Sequence, residues 1–509
     1  MQKIKLLDKW EKAGRILAWP LWLVLLATIP ITSSPIIASF SGGETPVSPL
    51  SIIPLSVIVL LWLIPYLIRG GSLPAASWPI LAFFLLSLMS GLFSIRLPIL
   101  PYKDATQLER GIRALLTLGI GISFYLTALK LPSDKQRVIM SLRALYVGLV
   151  ILLVWSSVQA VIMLDRSDRM PLVVTQIHHI FSVRDPLPDR VTGMAFEPSW
   201  LGDQLVVLYI PLLLGSVITR WSVFRTKWGW FSAELILLLC SAFMLILTRS
   251  RLSLLSLLIF GVLAYFYLGF ISLQKLVQKT GISRFQKRSI NWLPNMLGFL
   301  IFVAILAGLL LGSGWLLSRF DPRLNQLFSA PTRYAEFEYF YPREAHYEIA
   351  DNLAFAERLV YWSFGFRTFS QHPIIGVGPG NAGFFFEKNI PAYGYELTEI
   401  RNVLYTQDYG FPNPKNLWLR VLSETGMIGF SFYAIWYLLI GLNSVLLWKT
   451  GEDVYRMIGF AGVVLFVTQI IEGFSIDTYA LPQIWVSFGL IAASAQQVKL
   501  SPKGEADPL

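Results

Sequence analysis

The sequence is poor in charge and in cysteine, and both shortages exclude classes of protein. Only 14% of its 509 residues are Asp, Glu, Lys or Arg, where a soluble domain carries about 25%. The lone Cys240 rules out an internal disulfide framework and reads as a buried structural thiol inside an apolar run. No internal repeat is visible, which argues against a transporter built from duplicated halves. No A-x-A-like site follows the first apolar run, although Lys3, Lys5, Lys9 and Lys12 precede it. That run is therefore expected to stay as an uncleaved helix.

What the chain has in quantity is apolar sequence, 55% of all residues. Membrane-length runs lie near 16–36, 50–68, 77–95, 112–129, 138–164, 198–219, 231–248, 252–272, 292–317, 423–447, 457–474 and 478–496. A span needs about 20 apolar residues, so the expected fold is an all-α polytopic membrane protein of about 12 transmembrane helices. Nine helices would occupy 1–317, a large and partly helical outer loop 318–415, three more helices 416–497, and a cytoplasmic tail 498–509.

Orientation follows from the basic residues. With the N-terminus inside, twelve crossings place Lys130/Lys135/Arg137, Arg220/Arg225/Lys227, the 275–288 cluster, Lys449/Arg456 and Lys499/Lys503 in the cytoplasm. The net charge of +11 then reads as topology and attraction to anionic lipid, not as nucleic-acid binding. The same parity puts 165–197, the Arg249–Arg251 corner and 318–415 on the outer face.

Three outer-face clusters carry candidate chemistry. In FEPSWLGDQ, 196–204, Pro198 suits a first helical turn and leaves Glu197 extended at the mouth of a span. Ser199 and Asp203 share a helix face; capping and interhelical hydrogen bonds are the alternative to a wet cavity there. Glu197 has no evident adjacent cation and is the candidate general base. Around LTRSRLS, Arg249 and Arg251 lie about 200° apart if on one helix, so one faces a cavity and the other snorkels. Arginine suits phosphate because it is always charged and bonds bidentately.

The third cluster is the long loop. Residues 352–370 read as an amphipathic helix with Leu359, Trp362, Phe366 and Phe369 on one stripe, and with Arg358 and Arg367 on opposite faces. HPIIGVGPGN, 372–381, follows no strand, so it is no dinucleotide fingerprint. Gly378 and Gly380 belong either to a tight turn or to a backbone nest for phosphate. In NPKNLWLRVLSETGMIGF, 413–430, Asn413 is the expected N-cap and Pro414 the first helical residue. Lys415 then falls in the first turn, disfavoured by the dipole unless an anion is near. Asn416, Arg420 and Glu424 recur along one face.

These pieces resemble the bacterial O-antigen ligase and polymerase family. The Ser250-Arg251 step, Arg358 followed by Trp362, the PIIGVGPGN turn and the NLWLRVLSETGMIGF helix start match in order over roughly 190–475. The resemblance implies a metal-independent, inverting glycosyltransferase without a cofactor. Its donor would be a polyprenyl-diphosphate-linked glycan, used with a glycan acceptor on the outer face of the bacterial inner membrane. Arg251 and Arg358 stand where the family places diphosphate-holding arginines, and a flippase and a chain-length regulator are implied as pathway partners. Ligases carry a histidine before the asparagine of the last motif; here that residue is Lys415. With the FEPS stretch, this favours a polymerase over a ligase. Residues 37–49 hold only Glu44, which argues against metal-dependent oligosaccharyltransferases with an acidic pair in the first outer loop. An anion transporter is the remaining alternative.

Overall fold

A computed structural model describes residues 2–40, 47–165, 169–224, 227–228, 231–257, 259–261, 355–406 and 410–500. Among the described residues the chain is helical apart from a two-residue antiparallel ladder, β1 (Lys227–Trp228) with β2 (Phe231–Ser232). The principal helices are α1 (Gln2–Thr28), α2 (Ile52–Ile68), α3 (Ala75–Ser94), α4 (Gln107–Lys130), α5 (Lys135–Leu164), α6 (Leu172–His178) and α7 (Pro198–Thr219). They continue with α8 (Ala233–Thr248), α9 (Arg251–Gly261), α10 (Ala356–Gln371), α11 (Thr398–Tyr405), α12 (Leu417–Trp448), α13 (Asp453–Glu472) and α14 (Pro482–Leu500).

Six of these are long and apolar enough to cross a membrane: α3, α4, α5, α7, α12 and α13. The chain is a polytopic membrane protein. Eleven of the twelve expected runs meet a described helix at least in part; the run 292–317 lies outside the described residues, as do 318–354 of the expected loop and 501–509 of the tail.

Contacts divide the chain into two compact units. The larger comprises 1–263, 368–384 and 415–509. In it α12 packs on α13 and α3, α14 on α4, α13 on the second half of α7, and α1 on α5. Its centre is aromatic: Trp436 stacks on Trp485 at 5.2 Å and meets Tyr125 edge-on at 5.4 Å. Cys240 is exposed, not buried as expected. It lies with Ile236, Leu239 and Phe243 on an outward apolar stripe of α8, the face a spanning helix gives to lipid.

The two ends of this bundle differ. At one, the α4–α5 connection, the α12–α13 connection and the end of α14 meet: Lys135 pairs with Glu452 at 2.7 Å, and Gln497 donates to the Pro132 carbonyl at 2.6 Å. Lys130, Arg137, Lys449 and Lys499 belong to this end. At the other, the heads of α7, α9, α12 and α14 gather with the tail of α13. One wide turn, Leu205–Tyr209, interrupts α7 just below its head. Pro211 follows and withholds an N–H from the helical ladder; such turns are frequent at functional sites.

The second unit, 264–367 and 385–414, is described only in part. There Ala356, Val360, Tyr361, Phe364 and Gly365 of α10 are buried, while Phe366 is 56% exposed. The buried stripe is therefore not the expected Leu359/Trp362/Phe366/Phe369. Its position is set by what it packs on: Phe386 stacks on Tyr361 at 5.6 Å and meets Phe364 edge-on at 4.8 Å. Tyr361 also donates to Glu399 at 2.9 Å.

Candidate functional site

The head of α12 concentrates charge where a span should be apolar. Its N-cap is Asn416, extended at φ −156°, whose Oδ1 accepts the Leu419 N–H at 3.1 Å. The expected cap, Asn413, lies three residues too early. Lys415 explains the offset: it takes a left-handed φ of 47°, so the chain turns after Pro414 before helical geometry starts. Lys415 consequently precedes the helix, and the first-turn dipole argument does not apply to it. Its own N–H donates to Asp477 Oδ2 at 3.1 Å, so a carboxylate already sits at this helix start.

The expected ladder along α12 is realised. Arg420 Nε donates to Glu424 at 3.2 Å, and Nη1 donates to the Asp477 carbonyl at 2.5 Å. Its guanidinium lies over the Tyr479 ring, 4.9 Å from the centroid. Arg110 of α4 is close enough to interact electrostatically with both Arg420 and Glu424. Burying such charges together is costly unless they are paired and hydrogen-bonded. In membrane segments they mark function by default.

The glycine-rich turn completes this cluster, but not as an open phosphate nest. Gly376, Gly378 and Gly380 all have positive φ. The Val377 and Gly378 N–H groups donate to the carbonyls of Ser423 and Glu424, each at 2.9 Å. The Gly380 N–H donates to the Glu424 side chain. The anion in the turn is thus Glu424's own carboxylate. Beyond it, Met427 N–H donates to the Pro373 carbonyl at 2.8 Å, across a break in α12 at Gly426 (φ 65°, ψ −169°). Ser90 of α3 reaches the Ile375 and Glu424 carbonyls at 2.5 and 2.8 Å. The turn is a structural insert in the membrane helix, and it aims Glu424 at Arg420.

At the head of α7, Glu197 is extended before Pro198, as expected. It has a cation after all: Arg184 pairs with Oε1 at 2.9 Å, and Ser199 donates to Oε2 at 3.1 Å. Arg184 came from a loop thirteen residues upstream, with no periodic spacing to reveal it. Gln204 is structural, donating to the Ile29 and Pro30 carbonyls at 3.2 and 3.4 Å. Asp203 is buried and bonded to Gln483 Nε2 at 2.5 Å.

Arg249 and Arg251 do not share a helix. Arg249 closes α8 in a left-handed conformation, φ 51°, where a cation suits the helix C-terminus. Arg251 opens α9 and is exposed. This corner packs directly on α7, because Gly202 admits Ser253 in close contact. Ser256, one turn into α9, donates to the buried Glu472 at 3.2 Å. The next residue, Gly473, accepts the Leu417 N–H at 2.7 Å.

The larger unit therefore brings Arg249, Arg251, Lys415, Asn416, Arg420, Gly378, Gly380 and Glu197 to one end. Arg110, Asp477, Tyr479 and Gln483 join them from positions that no motif marks. Arg358 belongs to the second unit, half-buried on α10. On the same helix Arg367 donates to the Asn389 and Ile390 carbonyls, both at 3.2 Å, a structural clamp.

His178 is buried beside this end. Its Nδ1 accepts from Trp155 Nε1 and lies against Gln159 Nε2, both at 3.3 Å. Burial and the neighbouring His179 push its pKa down to about 4. The ring is thus a neutral structural acceptor.

A search of curated proteins finds no match to the chain. Residues 236–434, which carry the Arg249–Arg251 corner, α10, the glycine-rich turn and the head of α12, match the model of the family described as O-antigen ligase. Over that segment the chain is similar to the O-antigen ligase and polymerase family.

Proposed function

We propose that the protein is a glycosyltransferase that polymerises polyprenyl-diphosphate-linked oligosaccharide repeats into a surface polysaccharide on the outer face of the bacterial inner membrane. The observation that carries this reading is the gathering of Arg249, Arg251, Lys415, Asn416 and Arg420 at the end of the bundle opposite its basic connections. By the positive-inside bias, that end faces the periplasm. Cleavage of the sugar–diphosphate bond builds negative charge on the leaving group, and preorganised guanidiniums in a poorly hydrated site stabilise it. Arg251, exposed at a helix start, is assigned to the donor diphosphate. Glu197, held by Arg184 and Ser199, is assigned to accept hydrogen bonds from sugar hydroxyls. No step in this scheme calls for a metal or a cofactor. The pathway's flippase and chain-length regulator are its proposed partners.

The ligase reading remains second, favoured by the description of the matched family; Lys415 at the ligase histidine position weighs against it. The test is Arg251→Ala in cells whose own copy is deleted. Single-repeat lipid-linked glycan should accumulate, with polymer lost and membrane insertion intact. Wild-type polymer lengths in that variant would sink the assignment. Accumulation of full-length polymer on its lipid carrier in the deletion strain would instead identify a ligase.

A further inference from the structure

Behind the cationic cluster lies a cavity that the scheme above does not use. It is walled by Asp203 of α7, Leu417 and Tyr433 of α12, Gln469 of α13, Tyr479, and Gln483 of α14. It measures about 20 Å³, room for one water molecule. Its polar lining combines the Asp203 carboxylate and two amides with the hydroxyls of Tyr433, Thr478 and Tyr479. Asp203 is 3% exposed, Gln469 5% and Gln483 0%. The Gln483 amide donates to Asp203, while the Oε1 atoms of Gln469 and Gln483 meet no donor among the described residues. Buried carbonyl oxygens are costly to leave unsatisfied, and a site of this kind suits a water or a hydroxyl that brings protons in.

The cavity and the cationic cluster share a wall. Tyr479 lines the first and carries the Arg420 guanidinium on its ring. Leu417, also in the lining, adjoins the Asn416 cap. Asp203 thus lines the same cavity as the Tyr479 ring that carries the Arg420 guanidinium. Glu197, by contrast, is ion-paired to Arg184 and about 39% exposed.

We propose that Asp203 is the proton acceptor of the transfer reaction, receiving the acceptor hydroxyl's proton through the single water its cavity accommodates. This rests on the glycosyl-transfer reading. In the step, the acceptor sugar oxygen bonds to the anomeric carbon as the bond from that carbon to the diphosphate oxygen breaks. The electron pair leaves with the polyprenyl diphosphate. The hydroxyl proton passes to the water, and one of the water's protons passes to the Asp203 carboxylate. The titratable groups facing Asp203 are the phenols Tyr433, Tyr437 and Tyr479, which ordinarily titrate near 10 and leave the range of interest to the carboxylate.

The test compares wild type, Asp203→Asn and Gln483→Met. One readout is polymer yield per inserted protein in membranes of the deletion strain, between about pH 5 and 8. The other is binding of undecaprenyl diphosphate to the purified protein. Loss of a general base costs on the order of 100-fold or more, so Asp203→Asn should fall by that factor, lose the acid limb of its pH profile, and bind undecaprenyl diphosphate as wild type does. Gln483→Met keeps the carboxylate without its donor, and should retain partial activity with a displaced acid limb. Asp203→Asn with more than half of wild-type yield across the range would overturn the proposal. So would an unchanged limb in Gln483→Met, which also decides the matter should Asp203→Asn fail to insert. If wild type itself neither binds undecaprenyl diphosphate nor extends the glycan, the glycosyl-transfer reading fails, whatever Asp203 does.

Discussion

At the scale of the residue, Arg420 and Lys415 can be separated, although both belong to the head of α12. Arg420 is pinned by Glu424, the Asp477 carbonyl and the Tyr479 ring, and its side chain is only 14% exposed. Removing one partner of a buried pair costs about 3–5 kcal/mol, so Arg420→Ala should lower the melting temperature in detergent as well as activity. Arg420→Lys should not rescue it, because one ammonium cannot hold the guanidinium's three contacts. Lys415 is different, because its backbone is left-handed. Lys415→Gly removes the ammonium and relieves the backbone, and glycine substitution at such a φ carries no steric cost. Unchanged or raised thermal stability with reduced polymer yield would place the ammonium at the donor. Unchanged yield would make Lys415 a turn residue only. His178 offers a third residue-scale test. Its folded pKa of about 4 lies below the ordinary value near 6.5, so the unfolded chain binds more protons between those values. Stability should therefore fall as pH drops from about 6.5 to about 4, by up to about 3 kcal/mol, and His178→Gln should flatten that slope in thermal unfolding.

At the scale of the element, the glycine-rich turn and α12 form one device. Gly376 sits against the Glu424 backbone and Gly426 against Ile374, both at positive φ and with no room for a Cβ. Alanine at either combines left-handed strain with overpacking, together about 2–4 kcal/mol. Gly410→Ala, with open space around it, should change nothing measurable. Comparable melting temperatures for Gly376→Ala and Gly410→Ala would show that the interlock is dispensable. The sequence announced glycines here, and the i, i+4 ladder of Asn416, Arg420 and Glu424, because both follow from local geometry. It could not announce that Glu424 fills the turn, since that needs the pairing of 377–378 with 423–424. The same limit explains α10: its amphipathic composition was legible, but its buried stripe depends on Phe386. Asn413-Pro414 had the signature of a helix start, and the left-handed Lys415 moved that start to Leu417. Arg184, Arg110 and Asp477 reach the site from other segments, and no periodicity links them to it.

At the scale of the whole molecule, the functional reading depends on the site end of the bundle facing outward. The two ends are chemically distinct, with Lys135, Glu452 and Gln497 meeting at one and the heads of α7, α9, α12 and α14 at the other. The positive-inside bias assigns the basic end to the cytoplasm, and each Lys or Arg near an anionic leaflet contributes about 1 kcal/mol to that preference. The lone cysteine makes the arrangement testable. Cys240 lies on the lipid-facing stripe of α8, where a membrane-impermeant maleimide has no access, so wild type supplies an unlabelled background. Leu100, 83% exposed in the connection between α3 and α4, reports the site end. Gly451, exposed between α12 and α13 with open space around it, reports the basic end. In intact spheroplasts Leu100→Cys should be labelled at once and Gly451→Cys only after permeabilisation. The reverse pattern would put the cationic cluster in the cytoplasm, where a polyprenyl-diphosphate glycan already flipped outward is out of reach, and the polymerase assignment would fall with it.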